Sequence, residues 1–519
     1  MKWTAAAATG VAAVGALVAH DLTQKKHAIL RNYPVIGHAR YLLEKVGPEL
    51  RQYIVTSNDE ERPFSRDQRS WIYASAKLEN NYFGFGTDNN VEGEIGYPII
   101  KHRTFAPFEA STARHAGEEV ALPCAKVIGE ARNRRHAFRP ASVVNISGMS
   151  FGSLSGNAIS ALNRGASLAG CMHNTGEGAL SQHHRQGGDI VFQIGTSYFG
   201  CRDLEGNFNL DKLKEIVASA PVKMIEIKLS QGAKPGLGGM LPGAKVTSEI
   251  AEIRNIKEGE DCASPSRHSE FHDIDSMLDF VEMVADATGL PVGIKSAVGD
   301  LDFWDELAAT MVSDRSRGVD FINIDGGEGG TGAAPMIFAD SVSYPFRIGF
   351  SEVYKRFAEA GLADDITFIG AGKLGAPENA LVAFALGVDM VNVGREGMLA
   401  IGCIQAQRCH TDTCPTGVAT QDPRLARGLD PASKSVRCYN YIKSLRRDLL
   451  KVSEAIGVCH PALIGVGDID LVTGTRSMIG LGEQYGYHED WDHLSQRHSE
   501  EITRIMVGSL PENEHSPHV

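Results

Sequence analysis

Residues 321–330 have the sequence FINIDGGEGG, a short apolar run followed at once by a glycine-rich loop. From about Val143 onward such β-branched or apolar runs alternate with helix-length segments. Runs that are apolar on both faces and joined by helices are typical of a covered parallel sheet. Eight of them over about 250 residues predict an α/β fold, a (β/α)8 TIM barrel, with an open doubly wound sheet as the alternative. The runs are Val143–Ser147, Met172–Thr175, Ile190–Gly195, Met224–Ser230, Val292–Ser296, Phe321–Asp325, Thr367–Gly370 and Met390–Gly394.

The composition excludes several classes of protein. The 519 residues are 43% hydrophobic, which is enough to bury a large core and argues against disorder. Nine scattered cysteines argue against a disulfide-rich secreted module, and a net charge of −13 argues against nucleic-acid binding. We predict an apolar segment over 1–24, an irregular α+β region over 25–140, the barrel over 141–430 and a helical extension over 431–519.

The first segment is uncharged and rich in alanine from Thr4 to Ala19. Lys2 alone precedes it, whereas Lys25, Lys26, Arg31 and Arg40 follow it. By the positive-inside rule, this pattern predicts a single membrane anchor that holds the chain at the cytoplasmic face of the membrane. A cleaved signal peptide and a merely apolar helix are the alternatives.

Glycine-rich loops follow six of the predicted strands and would lie at the C-terminal face, where barrel active sites occur. The loops after the last two strands, together with the loop after the sixth, predict a phosphate-bearing cofactor site. Glycine allows close approach of the backbone to a ligand, although such loops also occur as simple turns. The residues that we expect there are Asp325, Gly330, Gly372, Lys373, Gly394 and Arg395.

Several basic residues are placed to act at the same face. Lys295 ends the fifth strand, where its charge would stabilise a reduced flavin or an oxyanion; the alternative is pairing with a barrel carboxylate. Lys228, Gln231 and Lys234 follow the fourth strand and suit an anionic substrate such as a carboxylate. Arg254 is a candidate second carboxylate ligand. For the lysines, solvated surface positions are the alternative.

Three cysteines form the most specific pattern, Cys403-x5-Cys409-x4-Cys414-Pro415. Thiolates at this spacing with a following proline are typical of an iron–sulfur site, here with three ligands in the loop 403–414. Zinc, with His410 as a fourth ligand, and an unligated structural role are the alternatives. The other six cysteines fit a role as small buried apolar residues.

These motifs resemble the synthase domain of glutamate synthase. The resemblance covers about Ala141 to Pro423, and the motifs occur in the family order. It implies an FMN-binding (β/α)8 barrel with a [3Fe-4S] cluster. It also implies conversion of 2-oxoglutarate and ammonia through 2-iminoglutarate to L-glutamate. The motifs are Gly148-Met-Ser-Phe-Gly-Ser-Leu-Ser155, Asn174-Thr-Gly-Glu-Gly178, Gln231-Gly-Ala-Lys-Pro-Gly236, Leu241-Pro-Gly243, Gly329-Gly-Thr-Gly-Ala333 and Cys409-His-Thr-Asp-Thr-Cys-Pro-Thr-Gly-Val-Ala-Thr-Gln421.

The resemblance also implies roles for single residues. The cluster would be bound by Cys403, Cys409 and Cys414. FMN would be held by the backbone at Met149 and Ser150, with Lys295, Gly330, Gly372, Gly394 and Arg395. Lys228, Lys234 and Arg254 would face the oxo acid, and Glu177 would lie where ammonia enters. Glu177, Lys234 and Lys295 are thus the expected catalytic residues.

The sequence also departs from the family. Residues 1–140 contain only Cys124, so we expect no glutaminase of the kind that uses an N-terminal cysteine. Too few residues follow Gln421 for the family's C-terminal β-helix. Met240 stands where the family has a glutamine that contacts the oxo acid, and residues 264–273 depart from the usual motif. In these respects the chain resembles a short, stand-alone, membrane-tethered branch of the family.

Three hypotheses follow. The first is a glutamate-synthase-like oxidoreductase; the second is an FMN and iron–sulfur oxidoreductase that acts on a different oxo or amino acid. The third is a membrane-tethered electron-transfer subunit. The chain lacks an evident dinucleotide-binding glycine motif, so its electrons would come from ferredoxin or from a separate NADPH-oxidising subunit. We also expect an ammonia-donating partner and a homo-oligomer.

Overall fold

The computed structural model describes residues 2–24, 26–82, 84–108, 121–488, 491 and 494–508. These residues form two compact units, Met1–Arg69 and Ser70–Val519. The strands are β1 (Pro98–Ile100), β2 (Val144–Ile146), β3 (Met172–Asn174), β4 (Asp189–Ile194), β5 (Val222–Lys228), β6 (Met240–Leu241), β7 (Cys262–Ala263), β8 (Val292–Ser296), β9 (Phe321–Asp325), β10 (Thr367–Ala371), β11 (Met390–Val393), β12 (Ile469–Gly474) and β13 (Ser477–Gly480). The helices are α1 (Lys2–Thr23), α2 (Ala28–Asn32), α3 (Gly37–Leu50), α4 (Arg66–Lys77), α5 (Gly156–Ala169), α6 (Leu210–Ser219), α7 (Ser248–Arg254), α8 (Ile274–Thr288), α9 (Asp302–Ser313), α10 (Met336–Ser341), α11 (Phe346–Glu359), α12 (Pro377–Leu386), α13 (Arg395–Ile401), α14 (Pro423–Ala426), α15 (Pro431–Ile456), α16 (Leu481–Tyr485) and α17 (Gln496–Gly508).

The second unit contains a closed barrel of parallel strands in the order β2-β3-β4-β5-β8-β9-β10-β11. The last strand pairs with the first, through Val391 with Val144 and Val393 with Ile146. The predicted (β/α)8 barrel is thereby confirmed, and the open sheet is excluded. Each of the eight apolar runs coincides with a barrel strand to within two residues at either end.

The helices around the barrel begin and end at residues suited to those positions. The Ser155 side chain accepts a hydrogen bond from the Ala158 N–H at the start of α5, and Asp273 accepts one from Ser276 at the start of α8. Gly170 and Gly289 end the same two helices with φ of 59° and 74°, a conformation that glycine adopts without strain. Local sequence therefore fixes where the chain turns back to the next strand.

The inside of the barrel changes from apolar to charged along its axis. An apolar layer, which includes Met172, Val191, Met224 and Phe321, fills the N-terminal end. Chain segment 121–140 covers this end, where the Lys126 ammonium lies 3.0 Å from Asp389 Oδ2. Because this end is filled and closed, a ligand can reach the interior only from the C-terminal ends of the strands.

Two further elements pack outside the barrel. The 26-residue helix α15 lies against α5, and a side chain at Gly165 of α5 would collide with Cys438 Cβ at 2.5 Å. Strand β12 pairs antiparallel with β1 and with β13 to form a small sheet. The end of the described chain thus returns to the segment that precedes the barrel.

The first unit contains the alanine-rich helix α1. Its Asp21 is buried and accepts hydrogen bonds from the Val35 N–H and from His38 Nε2, both at 3.0 Å. Within the described residues, no helix combines the length and the apolarity that a bilayer crossing needs. The predicted membrane anchor, and with it the placement at the cytoplasmic face, is therefore wrong. The stretch consists mainly of alanine and glycine, which are less apolar than the leucine and isoleucine typical of membrane spans.

Candidate active site

Four predicted substrate residues meet at the mouth of the barrel. Lys228, at the end of β5, places its Nζ 2.6 Å from Glu177 Oε1 and 2.5 Å from Gln231 Oε1. Lys234 is 4% exposed and interacts electrostatically with both Lys228 and Glu177. Residues that are 51 to 57 positions apart in the chain thus share one pocket, because the loops after β3 and β5 lie at the same end of the barrel.

The charges in this pocket change one another's proton affinity. Burial raises the pKa of the Glu177 carboxyl, but the charge and hydrogen bond of Lys228, followed by Lys234 and Arg254, lower it below its usual value. Burial and the like charge of Lys228 lower the pKa of Lys234 to about 8, against the opposing effect of Glu177. Glu177 is therefore a carboxylate at neutral pH, and Lys234 is a cation close to its titration point.

Arg254 is held against the loop that follows β2. Its Nη2 donates to the Phe151 carbonyl at 2.9 Å and lies 3.4 Å from Ser150 Oγ. A Cβ at Gly178 would lie 2.6 Å from this same nitrogen, and one at Gly152 would lie 2.9 Å from it. Both glycines leave the space that the guanidinium occupies.

Lys295 lies deeper, at the end of β8. Its Nζ is 3.6 Å from Asp325 Oδ2, and the same carboxylate oxygen accepts the Gly232 N–H at 3.0 Å. Burial lowers the pKa of Lys295, but Asp325 and Glu226 raise it above its usual value. The pairing with a barrel carboxylate, considered from the sequence, is thus present, and it keeps a fixed ammonium inside the barrel mouth.

The predicted cofactor glycines face one another across neighbouring loops. A Cβ at Gly330 would lie 2.5 Å from Arg395 Cδ, and one at Gly372 would lie 3.2 Å from Gly326 Cα. Gly372 and Lys373 both have positive φ, 124° and 56°. The loops after β9, β10 and β11 therefore meet closely enough that side chains would fill the space between them.

The remaining predicted cofactor residues lie on the loop after β2 and on the strand beside it. Ser150 N and Met149 N would be 2.8 and 3.2 Å from a Cβ at Gly176, so this backbone packs directly on the loop after β3. A Cβ at Gly394 would make only an ordinary van der Waals contact, with Ser147 Cβ at 3.6 Å. This part of the mouth is lined by backbone rather than by bulky side chains.

The three cysteines follow α13 and differ in environment. The Gln405 N–H donates to Cys403 Sγ at 3.4 Å, and the Tyr73 hydroxyl donates to the Cys403 carbonyl at 2.8 Å. Burial raises the pKa of the Cys414 thiol, but hydrogen bonds from Ala419, Thr416 and Val418 lower it below its usual value. Such N–H contacts stabilise a thiolate. Among the described residues, no three Cys, His, Asp or Glu side chains are arranged to hold a single metal ion.

The loop after β2 and the cysteine loop are joined by hydrogen bonds. Ser155 donates its N–H to the Val418 carbonyl at 2.9 Å and its Oγ to the Gly417 carbonyl at 2.7 Å. Gln421 Nε2 donates to the carbonyls of Gly152 and Leu154 at 3.1 and 2.8 Å. The segment predicted to contact FMN and the segment predicted to bind iron therefore pack as one structure.

One buried group below the mouth was not expected from the sequence. The Glu226 carboxylate is fully buried and accepts side-chain amide hydrogen bonds from Asn174 at 2.8 Å, Gln193 at 2.6 Å and Asn323 at 2.6 Å. These residues come from strands β3, β4, β5 and β9, and each points into the barrel. Polar residues at the inward positions of otherwise apolar strands are the signal that could have identified this layer.

Comparisons with known proteins identify the family. A model of the conserved region in glutamate synthase matches residues 109–459. A glutamate synthase large subunit-like protein of Bacillus subtilis (strain 168) is 40% identical over 471 residues, which cover 85% of this chain and 89% of that protein. The chain belongs to the glutamate synthase family. The assignment to an enzyme of the glutamate synthase type, made from the motifs, is confirmed.

Other relatives match over a smaller share. The archaeal-type glutamate synthase (NADPH) of Thermotoga neapolitana is 35% identical over 319 residues, which cover 61% of this chain and 59% of that protein. The chain thus spans less than two thirds of this longer relative. A solved structure of a mandelate oxidase mutant with benzaldehyde aligns with 78% of this chain and 91% of its own at a TM-score of 0.42 and 16% identity. That similarity supports no inference about function.

Proposed function

We propose that the chain catalyses the reductive amination of 2-oxoglutarate to L-glutamate. Ammonia replaces the keto oxygen, which leaves as water and gives 2-iminoglutarate; two electrons and two protons then reduce the imine. The observation that carries this proposal is the convergence of Glu177, Lys228, Lys234 and Arg254 in one pocket. Three cations beside one carboxylate leave an excess of positive charge, which suits a substrate with two carboxylates.

The charge of each pocket residue determines the role that we assign to it. Lys228 and Arg254 would attract and orient the substrate carboxylates, and Gln231, bound to Lys228, would fix the lysine's direction. Glu177, a carboxylate at neutral pH, would accept a proton from the incoming ammonia. Lys234, with a pKa of about 8, would donate the first proton to the keto oxygen, and protonated Glu177 would donate the second as the oxygen leaves as water. Neutral Lys234 would then take the second proton from the nitrogen, so that both residues return to their starting state.

The mouth of the barrel fits FMN. The loops after β9, β10 and β11 leave a cradle that side chains at Gly330 or Gly372 would fill, and Lys373 and Arg395 add positive charge for a phosphate. Lys295 offers a fixed ammonium, held by Asp325, at the end of β8. Bound there, FMN would collect two electrons and deliver them to the imine as a hydride.

The cysteine loop fits a [3Fe-4S] cluster. Its three thiols come from one loop, and the hydrogen bonds to the Cys414 sulfur favour its thiolate. A cluster bound here would relay single electrons. The two Ser155 hydrogen bonds keep this loop against the segment that we assign to FMN. Zinc, considered from the sequence, would leave no route for electrons.

The electron donor and the source of ammonia follow from the same proposal. One relative is named a glutamate synthase (NADPH), and another, from Pyropia yezoensis, a ferredoxin-dependent glutamate synthase. We infer that this chain takes electrons either from ferredoxin or from a separate NADPH-oxidising subunit. Free ammonia, or ammonia from a partner, would serve as the amine donor, and a homo-oligomer is the expected assembly.

A different acceptor acid is the second candidate. Met240 on β6 is 46% exposed, and its neighbour Gly239 packs on Glu177, where a Cβ would lie 2.7 Å from Oε1. An apolar side chain at this edge of the pocket favours an acid whose distal group is less polar than a carboxylate. An assay with a series of 2-oxo acids separates the two candidates.

The test uses the full chain, purified without oxygen. We expect a flavin spectrum, about three irons per chain, and glutamate formed from 2-oxoglutarate, ammonium and a chemical reductant. Lys234→Met should lose most of this activity, whereas Lys257→Met, at a lysine whose side chain is 81% exposed, should retain it. Zinc without flavin would overturn the cofactor assignment. Turnover of other oxo acids but not of 2-oxoglutarate would overturn the substrate.

A further inference from the structure

Lys245 is a buried lysine whose ammonium group forms no salt bridge with any carboxylate of the described residues. It lies in a short helical turn, Gly243–Lys245, and is 2% exposed. Its Nζ donates to the Ser153 carbonyl at 2.9 Å, and among the described residues no carboxylate oxygen lies within salt-bridge distance of it. Lys126, equally buried at the other end of the barrel, has Asp389 at 3.0 Å. Lys245 therefore differs from an ordinary buried ion pair.

The negative groups that face Lys245 belong to the cysteine loop. Burial lowers the pKa of Lys245, whereas Asp412, Cys409 and Cys414 raise it. A buried ammonium is costly unless a counter-charge lies close to it, and the carboxylate of Asp412 acts on Lys245 from beyond salt-bridge distance. Negative charge bound at Cys409 and Cys414 would add to that of Asp412 and compensate the ammonium more fully.

The position of Lys245 is fixed from the opposite side. Ser153, whose carbonyl it binds, lies in the loop after β2 that also contains Ser150. Ser150 Oγ lies 3.0 Å from Ser153 Oγ. The ammonium is thus held between the loop that we assign to FMN and the loop that we assign to the cluster, and movement toward solvent would break its hydrogen bond to Ser153.

We propose that Lys245 is a positioning residue that fixes a positive charge beside the [3Fe-4S] cluster and raises the cluster's reduction potential. The inference rests on the proposed function, since it requires the cluster. When the oxidised cluster takes up one electron, no bond forms or breaks and its net charge becomes more negative by one. A fixed cation stabilises the more negative state, so it favours reduction.

The experiment measures the cluster's midpoint potential by a redox titration that follows the electron paramagnetic resonance signal of the oxidised cluster. Lys245→Met removes the charge at similar size, and Lys245→Arg keeps it. In the methionine variant we expect the equilibrium constant for reduction of the cluster to fall at least about tenfold, which lowers the midpoint potential by about 59 mV for one electron. The arginine variant should stay near the parent. Asp412→Asn, which removes a negative neighbour, should move the potential upward.

The controls separate the charge from the fold and from the proposed function. Lys257→Met, on the surface, should leave the potential unchanged. The inference is overturned if the methionine variant has the midpoint potential of the parent. It is also overturned if the arginine variant shifts the midpoint potential as far as the methionine variant does. If only the methionine variant loses iron, the result supports a role of Lys245 as a counter-charge. If both variants lose iron, the inference is overturned. Absence of iron from the parent is a failure of the proposed function instead.

Discussion

Replacing Glu226 by alanine should destabilise the barrel without a large change in shape. The carboxylate is fully buried and accepts three amide hydrogen bonds of 2.6–2.8 Å, from Asn174, Gln193 and Asn323. Glu226→Ala leaves these three donors without an acceptor. It also removes one of the three carboxylates, Asp325, Glu226 and Glu177, that raise the pKa of Lys295. The change therefore acts on stability and on the site above it.

The size of the effect follows from the unpaired groups. A buried donor without a partner costs about 1–3 kcal/mol, so three cost roughly 3–9 kcal/mol before relaxation. Entry of water into the vacated space recovers part of this, and removal of one member of a buried charged network generally costs about 3–5 kcal/mol. We expect about 4 kcal/mol. With about 2.1 cal/mol/K of unfolding entropy per residue, the roughly 450 residues of Ser70–Val519 convert this to a fall of about 4 °C in Tm.

Thermal unfolding of the full chain, followed by circular dichroism, measures the effect. Glu226→Gln is the matched variant: Asn323 Oδ1 has no hydrogen-bond partner, so this amide can turn and accept the new N–H, and the loss should be smaller than with alanine. Glu215→Ala, at an exposed glutamate of α6, should melt with the parent. An alanine variant that melts within about 1 °C of the parent would refute the stabilising role of this network.

Three further outcomes follow from the site. The KM for 2-oxoglutarate should rise as the pH increases through about 8, because Lys234 then loses the charge that attracts the substrate; in Lys234→Met this pH dependence should disappear from the profile. Gly178→Ala places a Cβ 2.6 Å from Arg254 Nη2 and should raise the same KM by at least about tenfold, while Gly467→Ala, which has no atom within 4 Å of the added Cβ, should not. Cys414→Ser should lower the iron content measured by elemental analysis, and full retention of iron would exclude Cys414 as a ligand.

The barrel could be predicted from sequence because its signal is local. Each strand is a short apolar run, and helix α8 begins at Asp273 and ends before Gly289, residues with known preferences for those positions. The apolar run Phe321–Asp325 indicated a barrel strand, and the glycine-rich loop after it indicated the end of the barrel where the site lies. The number of strands favoured a closed barrel over the open sheet, and the pairing of β11 with β2 decided between them.

The polar layer inside the barrel could not be predicted from the sequence, for a physical reason. Asn174, Gln193, Glu226 and Asn323 are separated by tens of residues, and only barrel closure brings them within hydrogen-bond distance. Single polar residues in apolar strands look like interruptions until the inward direction is known. Lys245 was missed likewise, because burial of a lysine next to a glycine turn has no local signature.

The pocket was predicted in part. Glu177, Lys228, Gln231 and Lys234 were expected at one face of the barrel, and the structure brings them together. Their individual roles remain predictions. The membrane anchor predicted from the uncharged first segment and its flanking basic residues was wrong, because the apolarity of α1 falls short of what a bilayer requires.

The hydrogen bonds between Ser155 and the cysteine loop have a consequence for the timing of biosynthesis. Ser155 leaves the ribosome 262 residues before Gly417, the residue that accepts its side-chain hydrogen bond. At about 5–20 residues per second, the first loop therefore waits roughly 13–50 s for its partner. Until then the nascent chain exposes an incomplete ring of strands, so a ligand that needs both loops can bind only late in maturation.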